Sequence, residues 1–365
     1  MGGNLRLRRS MLAADSKVVS SPSVVETSSA RPVQSWKHII DPVEPFLEAV
    51  SHRLAQQVKA FDPDIVPYAD YALNGQGKHL RPALVALTAR ALGQPKEPHV
   101  LVAVIIEMVH LATLVHDDIM DEAEIRRGRL TLAANWGNDL AVLFGDCLFA
   151  RALTLAASFP TPEICRAVAM ATNTVCSGEI LQTQHKGDFH FTQAEYFKVL
   201  EMKTAELFGL SCDLSALLSN ASTQQRSALR QFGLAFGTAY QVFDDCVDLF
   251  GSESIAGKSL GTDLAKGKLT LPVLLLWERA GQTDRDRLES MVRAWDPGCA
   301  RTAAELLAKY EVLAPSLEAM RQYLSQARRA IELLPESNGR AGLFALTDYL
   351  ANQSAMLAAV PEDGL

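Results

Sequence analysis

From about Trp36 onward, apolar residues return every three or four positions, and that period confines the chain to helices. Val43, Phe46, Leu47, Val50, Leu54 and Val58 set the pattern, one apolar stripe along one helical face. Comparable stretches cover roughly 68–92, 98–121, 139–158, 162–183, 193–219, 224–250, 269–280, 300–312, 315–333 and 340–357. The breaks fall on turn chemistry, at Phe159-Pro160-Thr161-Pro162, Asn220-Ala221-Ser222-Thr223 and Asp296-Pro297-Gly298. No short run alternates strictly between apolar and polar, so no strand is expected. Glycine and proline, 22 and 16 residues, are too few to punctuate an all-β fold. The expectation is a single large all-α domain over residues 37–365, preceded by a disordered tail at 1–36.

Charge and composition remove several function classes. The net charge of −7 lacks the basic footprint of a nucleic-acid binder. No segment approaches about 18 consecutive apolar residues, so no transmembrane segment is expected. The N-terminus has basic residues without the apolar core of a secretory signal. Its Arg and Ser content leaves three readings open: an organelle transit peptide, a disordered tail, or translation from Met11. The six cysteines (Cys147, Cys165, Cys176, Cys212, Cys246 and Cys299) form no CxxC pair and read as free thiols in a reducing compartment. A cytoplasmic location is the expectation.

Two segments break the helical pattern in the same way. Residues 107–121 read EMVHLATLVHDDIMD and residues 240–248 read YQVFDDCVD. Each is an apolar helix carrying acids at i, i+1 and i+4: Asp117, Asp118 and Asp121, then Asp244, Asp245 and Asp248. Like charges four residues apart repel by about 0.2–0.5 kcal/mol per pair. Anions at a helix C-terminus also oppose the macrodipole. A chain that accepts this cost twice calls for a cation to offset it. Magnesium suits the role, because it takes one or two carboxylates and fills its remaining positions with water and substrate phosphate oxygens. Two such helices would therefore hold a diphosphate between them through several ions.

A diphosphate also needs cations from the protein. Gly77-Lys78-His79-Leu80-Arg81-Pro82 is a basic cluster beside glycine, too short for a Walker loop. Arg126-Arg127-Gly128 follow the first acids. Lys203-Thr204 lie mid-helix, and Lys258, Lys266 and Lys268 lie on the glycine-rich segment after the second acids. Arg offers bidentate phosphate contacts and Lys a point charge.

Five ordered motifs, GKHLRP, HDDIMDEAEIRRG, MKTAELF, YQVFDDCVD and GKSLGTDLAKGKLTLP, make residues from about 40 to 355 resemble the trans-isoprenyl (polyprenyl) diphosphate synthases. The motifs stand nearest those of long-chain members. The resemblance implies an isoprenoid-synthase-type helical bundle around a central apolar cavity, and a homodimer. It also implies three Mg²⁺ per active site, held by Asp117, Asp118, Asp121 and Asp244, with Asp245 and Asp248 less directly involved. Lys78, Arg81, His110 and Arg127 would bind isopentenyl diphosphate. Arg126, Lys203 and Lys258 would grip the allylic diphosphate (geranyl, farnesyl or geranylgeranyl), with Lys268 near them and Thr204 and Gln241 beside the reacting carbon. His79 stands where many members have Arg; with Lys78 and Arg81 kept, weaker diphosphate binding is the most it implies.

The reaction so implied is a head-to-tail condensation that ends in a trans-polyprenyl diphosphate. Product length would be set on the apolar face before Asp117. There Ala112 and Thr113 are small, which in the family lets the chain grow, so products longer than C20 are expected. Phe144, Leu148 and Phe149 are candidates for a deeper floor. The alternatives are a short-chain (C15–C20) synthase, a non-catalytic subunit of a heteromeric synthase, and a terpene cyclase. The repeated DDxxD argues against a cyclase, and the intact acids and bases argue against a silent subunit.

Overall fold

The structure, a computed structural model, describes residues 35–73, 77–251, 261–296 and 298–359. It is built from helices: α1 Trp36–Ile40, α2 Glu44–Val58, α3 Val66–Leu73, α4 Leu80–Leu92, α5 Glu97–Met120, α6 Leu132–Trp136, α7 Asn138–Ala157, α8 Glu163–Gln184, α9 Gln193–Leu200, α10 Glu206–Leu218 and α11 Thr223–Phe250. The later part adds α12 Thr262–Ala265, α13 Leu271–Arg279, α14 Gln282–Arg293, α15 Cys299–Lys309, α16 Leu313–Ala330 and α17 Asn338–Ala358. The all-α expectation holds. One correction is a hairpin of two-residue strands, β1 Ile125–Arg126 and β2 Arg129–Leu130, which pairs Ile125 with Leu130. Strands this short leave no alternating pattern to read.

The core forms around α5 and α10. Val102–Ile106 of α5 are fully buried, and every residue of α10 from Glu206 to Ala216 is buried, so these two segments have no solvent face. α10 packs on α4, α5 and α11, while α11 packs on α16 and α17 on α4. Helix starts follow their sequence signals. Ser222 and Thr192 cap α11 and α9 through reciprocal bonds with Gln225 and Glu195.

The stretch read as helix over 68–92 is divided between α3 and α4. The stretch over 193–219 is interrupted by a π turn at Glu201–Ala205. The polar helix α14 escaped the apolar pattern, since only Leu288 and Met291 of its twelve residues are buried. Two helices, α5 and α7, are long and apolar enough to cross a membrane by composition. They pack against each other inside the bundle, α5 largely buried and α7 with Val142 and Leu143 exposed. The run-length criterion missed both because single charges interrupt them.

Candidate active site

The C-terminal half of α5, the π turn, α8 and α11 enclose a cleft of about 1080 Å³. Asp117, Asp244 and Asp245 line it from opposite helices, with Lys203, Thr204, Gln241, Lys268, Lys78, Arg81, His110, Arg126, Arg127 and Thr113. Sequence positions far apart are thus brought to one cavity. Lys258 lies outside the described residues.

The acids take different parts. Asp117 is held at the wall near the Lys203 ammonium, and burial pushes its carboxyl up to about 6. Asp118 is buried and accepts a 2.6 Å hydrogen bond from Arg126 Nε. Asp121 accepts from Lys268 Nζ at 2.8 Å, and the same ammonium lies 3.7 Å from Asp263. Asp245 is buried, accepts from Tyr196 Oη at 2.6 Å and Gln241 Nε2 at 2.8 Å, and is raised to about 8 by burial and the Asp263 charge. Asp248, like Asp118 and Asp121, does not line the cleft. Its carboxylate accepts from Thr262 Oγ1 and the Asp263 N–H, which ties α12 to α11.

Among the described residues, no three acidic, His or Cys side chains converge on a single point. The donor set still fits Mg²⁺. Asp117, Asp244 and Asp245 offer only oxygen, and a Mg²⁺ ion needs one or two such carboxylates when phosphate supplies the rest.

The basic side of the cleft is a helix N-terminus. Lys78 and His79 precede α4, whose positive end favours an anion. Burial depresses Arg81 to about 10; its guanidinium lies 4.6 Å from the centre of the Phe208 ring, opposite Glu107. Burial also pushes His110 down to about 3, and Arg81 adds to the effect. Glu107 is buried too, which alone would raise its carboxyl. The His79 ring, its Nδ1 3.6 Å from the carboxylate, and the Arg81 charge outweigh that and hold it down to about 2. Glu107 is a site residue the sequence reading passed over as the end of an apolar run. Its signal was a charge one turn before His110 in an otherwise apolar helix.

The lysine side owes its shape to the π turn. π turns insert one residue and concentrate at functional sites. Lys203 donates to Gln182 Oε1 at 2.9 Å and pairs with Glu179, while Thr204 Oγ1 donates to Gln241 Oε1 at 3.0 Å. Thr204, Gln241, Asp245 and Tyr196 thereby form one hydrogen-bonded row. Gly178 lets α8 approach closely, since a Cβ there would stand 2.7 Å from the Lys203 nitrogen. Glu179 and Tyr196 had no sequence signal, because neither lies in a charged or repeated motif.

The chain-length residues divide. Thr113 lines the cleft; Ala112 is fully buried and does not, because one step along a helix turns a side chain by about 100°. Of the three floor candidates, Phe149 lines the cleft, while Phe144 and Leu148 are buried in the core away from it.

The comparisons with known proteins agree with this geometry. The polyprenyl synthetase family model matches residues 63–310. An octaprenyl diphosphate synthase of Haemophilus influenzae is 33% identical over 84% of this chain and 94% of its own. A short chain isoprenyl diphosphate synthase of Methanothermobacter thermautotrophicus is 30% identical over 86% and 98%. The crystal structure of a Caulobacter crescentus polyprenyl synthase complexed with calcium and isoprenyl diphosphate superposes with a TM-score of 0.83. It is 31% identical, over 88% of this chain and 99% of that one. An acid-lined cleft rimmed by Lys and Arg in an all-helical bundle, in a chain that matches prenyl diphosphate synthases over most of its length, defines a prenyltransferase. The chain belongs to the polyprenyl synthetase family and is a trans-polyprenyl diphosphate synthase.

Two predictions follow from the charges. Unfolded His110 takes up a proton near 6.5 and folded His110 only near 3, so between those values the unfolded chain binds more protons and acid destabilises the fold. In urea titrations, His110→Gln should lose less stability than wild type as pH falls through this window; parallel losses would refute the buried neutral imidazole. Lys268→Met leaves Asp121 and Asp263 without their shared cation. With chelator present it should lower unfolding free energy by about 3 kcal/mol, whereas a loss below about 1 kcal/mol would mean the three charges are well solvated.

Proposed function

We propose that this chain condenses isopentenyl diphosphate with an allylic diphosphate to give trans-polyprenyl diphosphates longer than C20, using three Mg²⁺ per site. The observation that carries the reading is one cleft with carboxylates on two helices and two separate sets of cations. Asp117, Asp118, Asp121 and Asp244 would hold the ions, with Asp245 less directly involved and the present partners Arg126, Lys268 and Tyr196 exchanged for metal. Bound there, Mg²⁺ would act as a Lewis acid toward the leaving diphosphate.

The protein's own groups would do the rest. Arg126, Lys203 and Lys258 would hold the allylic diphosphate and take its growing charge as the carbon–oxygen bond breaks. Lys78, Arg81, Arg127 and His110 would hold isopentenyl diphosphate with its double bond toward the allylic carbon. The new carbon–carbon bond forms at that double bond, and the released diphosphate then takes up the proton whose loss restores an alkene. The apolar wall would keep water from the cation. Glu107 would fix Arg81 and His79 beneath the substrate. The exposed Leu143 on α7, 65% accessible and outside the cleft lining, supports a homodimer through this helix.

Small Thr113 at the cleft wall and the octaprenyl-forming relative support a long product. The short-chain relative at similar identity supports the second reading, a C15–C20 product. The test is incubation with radiolabelled isopentenyl diphosphate, each allylic primer and Mg²⁺, followed by chromatography of the dephosphorylated products. A ladder ending beyond C20 is expected. A stop at C15–C20 would establish the second reading, and no turnover by a folded protein would mean that a partner subunit is needed.

In the same assay, Asp117→Ala and Asp244→Ala should each cut turnover by at least about 100-fold with the helical circular dichroism kept. Near-wild-type turnover in saturating Mg²⁺ would remove that residue from the ligand set. Thr113→Phe places a ring where the growing chain must pass, and a packed wall has few voids to absorb it. Its products should shorten to C15–C20; an active variant with an unchanged long product would show that the chain runs elsewhere.

A further inference from the structure

The β1–β2 hairpin carries Arg126 and Arg127 on minimal support. Each strand is two residues long, and the turn places Arg127 at φ +53° and Gly128 at φ +73°. A two-residue hairpin turn with both centres left-handed matches strand twist, but the arginine in it is strained. Hairpins this small do not hold their shape alone. A neighbouring element must fix it.

That element is α3, and the contact centres on Tyr71. Tyr71 Oη donates to the Leu130 carbonyl at 2.6 Å, on the strand opposite Arg126. The Arg129 guanidinium lies 4.1 Å from the centre of the Tyr71 ring. Trp136, at the end of α6, meets the same ring edge-on at 4.9 Å and also meets Tyr68 at 5.3 Å. Tyr71 itself does not line the cleft. Two residues after it α3 ends, and the chain reaches the cleft again at Gly77 and Lys78. There the two basic arms meet: a Cβ on Gly77 would stand 2.8 Å from Arg127 Nη1, so the guanidinium lies against this backbone.

We propose that Tyr71 is a positioning residue which locks the hairpin arm and the Gly77–Arg81 arm into a single diphosphate-gripping unit, acting through Arg127. This rests on the assignment of Arg127 and Lys78 to isopentenyl diphosphate. The hydroxyl fixes the hairpin's height, the ring fixes its tilt, and Arg127 against the Gly77 backbone carries both constraints to the arm bearing Lys78. A ligand contacted by both arms is sensitive to their relative placement, and misplacement by about an ångström can cost up to 100-fold.

The test is steady-state kinetics with varied isopentenyl diphosphate at saturating primer and Mg²⁺, together with thermal melting. The variants are Tyr71→Phe, Tyr71→Leu, Arg127→Ala and the Tyr71→Phe/Arg127→Ala pair. Tyr71→Phe, which loses only the hydroxyl bond, should raise KM for isopentenyl diphosphate about threefold. Tyr71→Leu should raise it about tenfold or more, with kcat within about twofold in both. In the Arg127→Ala background the Tyr71→Phe effect should vanish, because the two act as one unit. A lowered melting temperature with unchanged KM in both Tyr71 variants would overturn the proposal, as would an effect of equal size with and without Arg127. Arg127→Ala with a wild-type KM would instead remove the diphosphate assignment underneath it.

Discussion

Carboxylates brought close together from two helices repel each other, and cations built in among them offset much of that cost. The Lys268 ammonium between Asp121 and Asp263 is the central one. Arg126 does the same for Asp118, and Lys203 lies near Asp117. Charged groups taken from water cost several kcal/mol each unless paired, so each acid needs its partner before any substrate arrives. The cations that neutralise the empty site are the ones that would grip a diphosphate. Substrate with its metal ions would replace one set of pairings by another, with little change in total charge balance.

The opposite wall applies the same rule with signs reversed. Arg81, His79 and His110 crowd around buried Glu107, which stays ionised at neutral pH with the His79 ring and the Arg81 guanidinium facing it. His110 stays neutral there, since a second buried positive charge beside Arg81 is unfavourable. That leaves Arg81 as the fixed charge of this wall and His110 as a neutral hydrogen-bonding group.

Much of this was legible in the sequence, for definable reasons. Helices of about four to eight turns with one apolar face leave a periodic trace, so α2, α5, α7, α8 and α11 are readable to within a residue or two. Acids at four-residue spacing announce themselves as a cost, which is why Asp117 and Asp244 could be found. Asp248 satisfied the same spacing yet serves to fasten α12, because spacing says which side chains share a face and nothing of what that face meets. Ala112 and Thr113 are chain neighbours, and only packing decides that Thr113 is the one that looks into the cleft. The hairpin and Tyr71 were out of reach because aromatic and backbone contacts over 59 residues of chain leave no local pattern.

The π turn at Glu201–Ala205 has a consequence for how this protein can vary. Helix α10 begins directly after it and is enclosed by neighbours on every side down to Ala216. Losing one residue from the turn would restore ordinary helix and rotate everything beyond it by about 100°. Tailored side chains such as Phe208, which stacks under Arg81, would then face the wrong partners. Length is therefore constrained here as tightly as the identities of Lys203, Thr204 and Phe208. An insertion or deletion within the segment would have to be matched at once by a second one nearby.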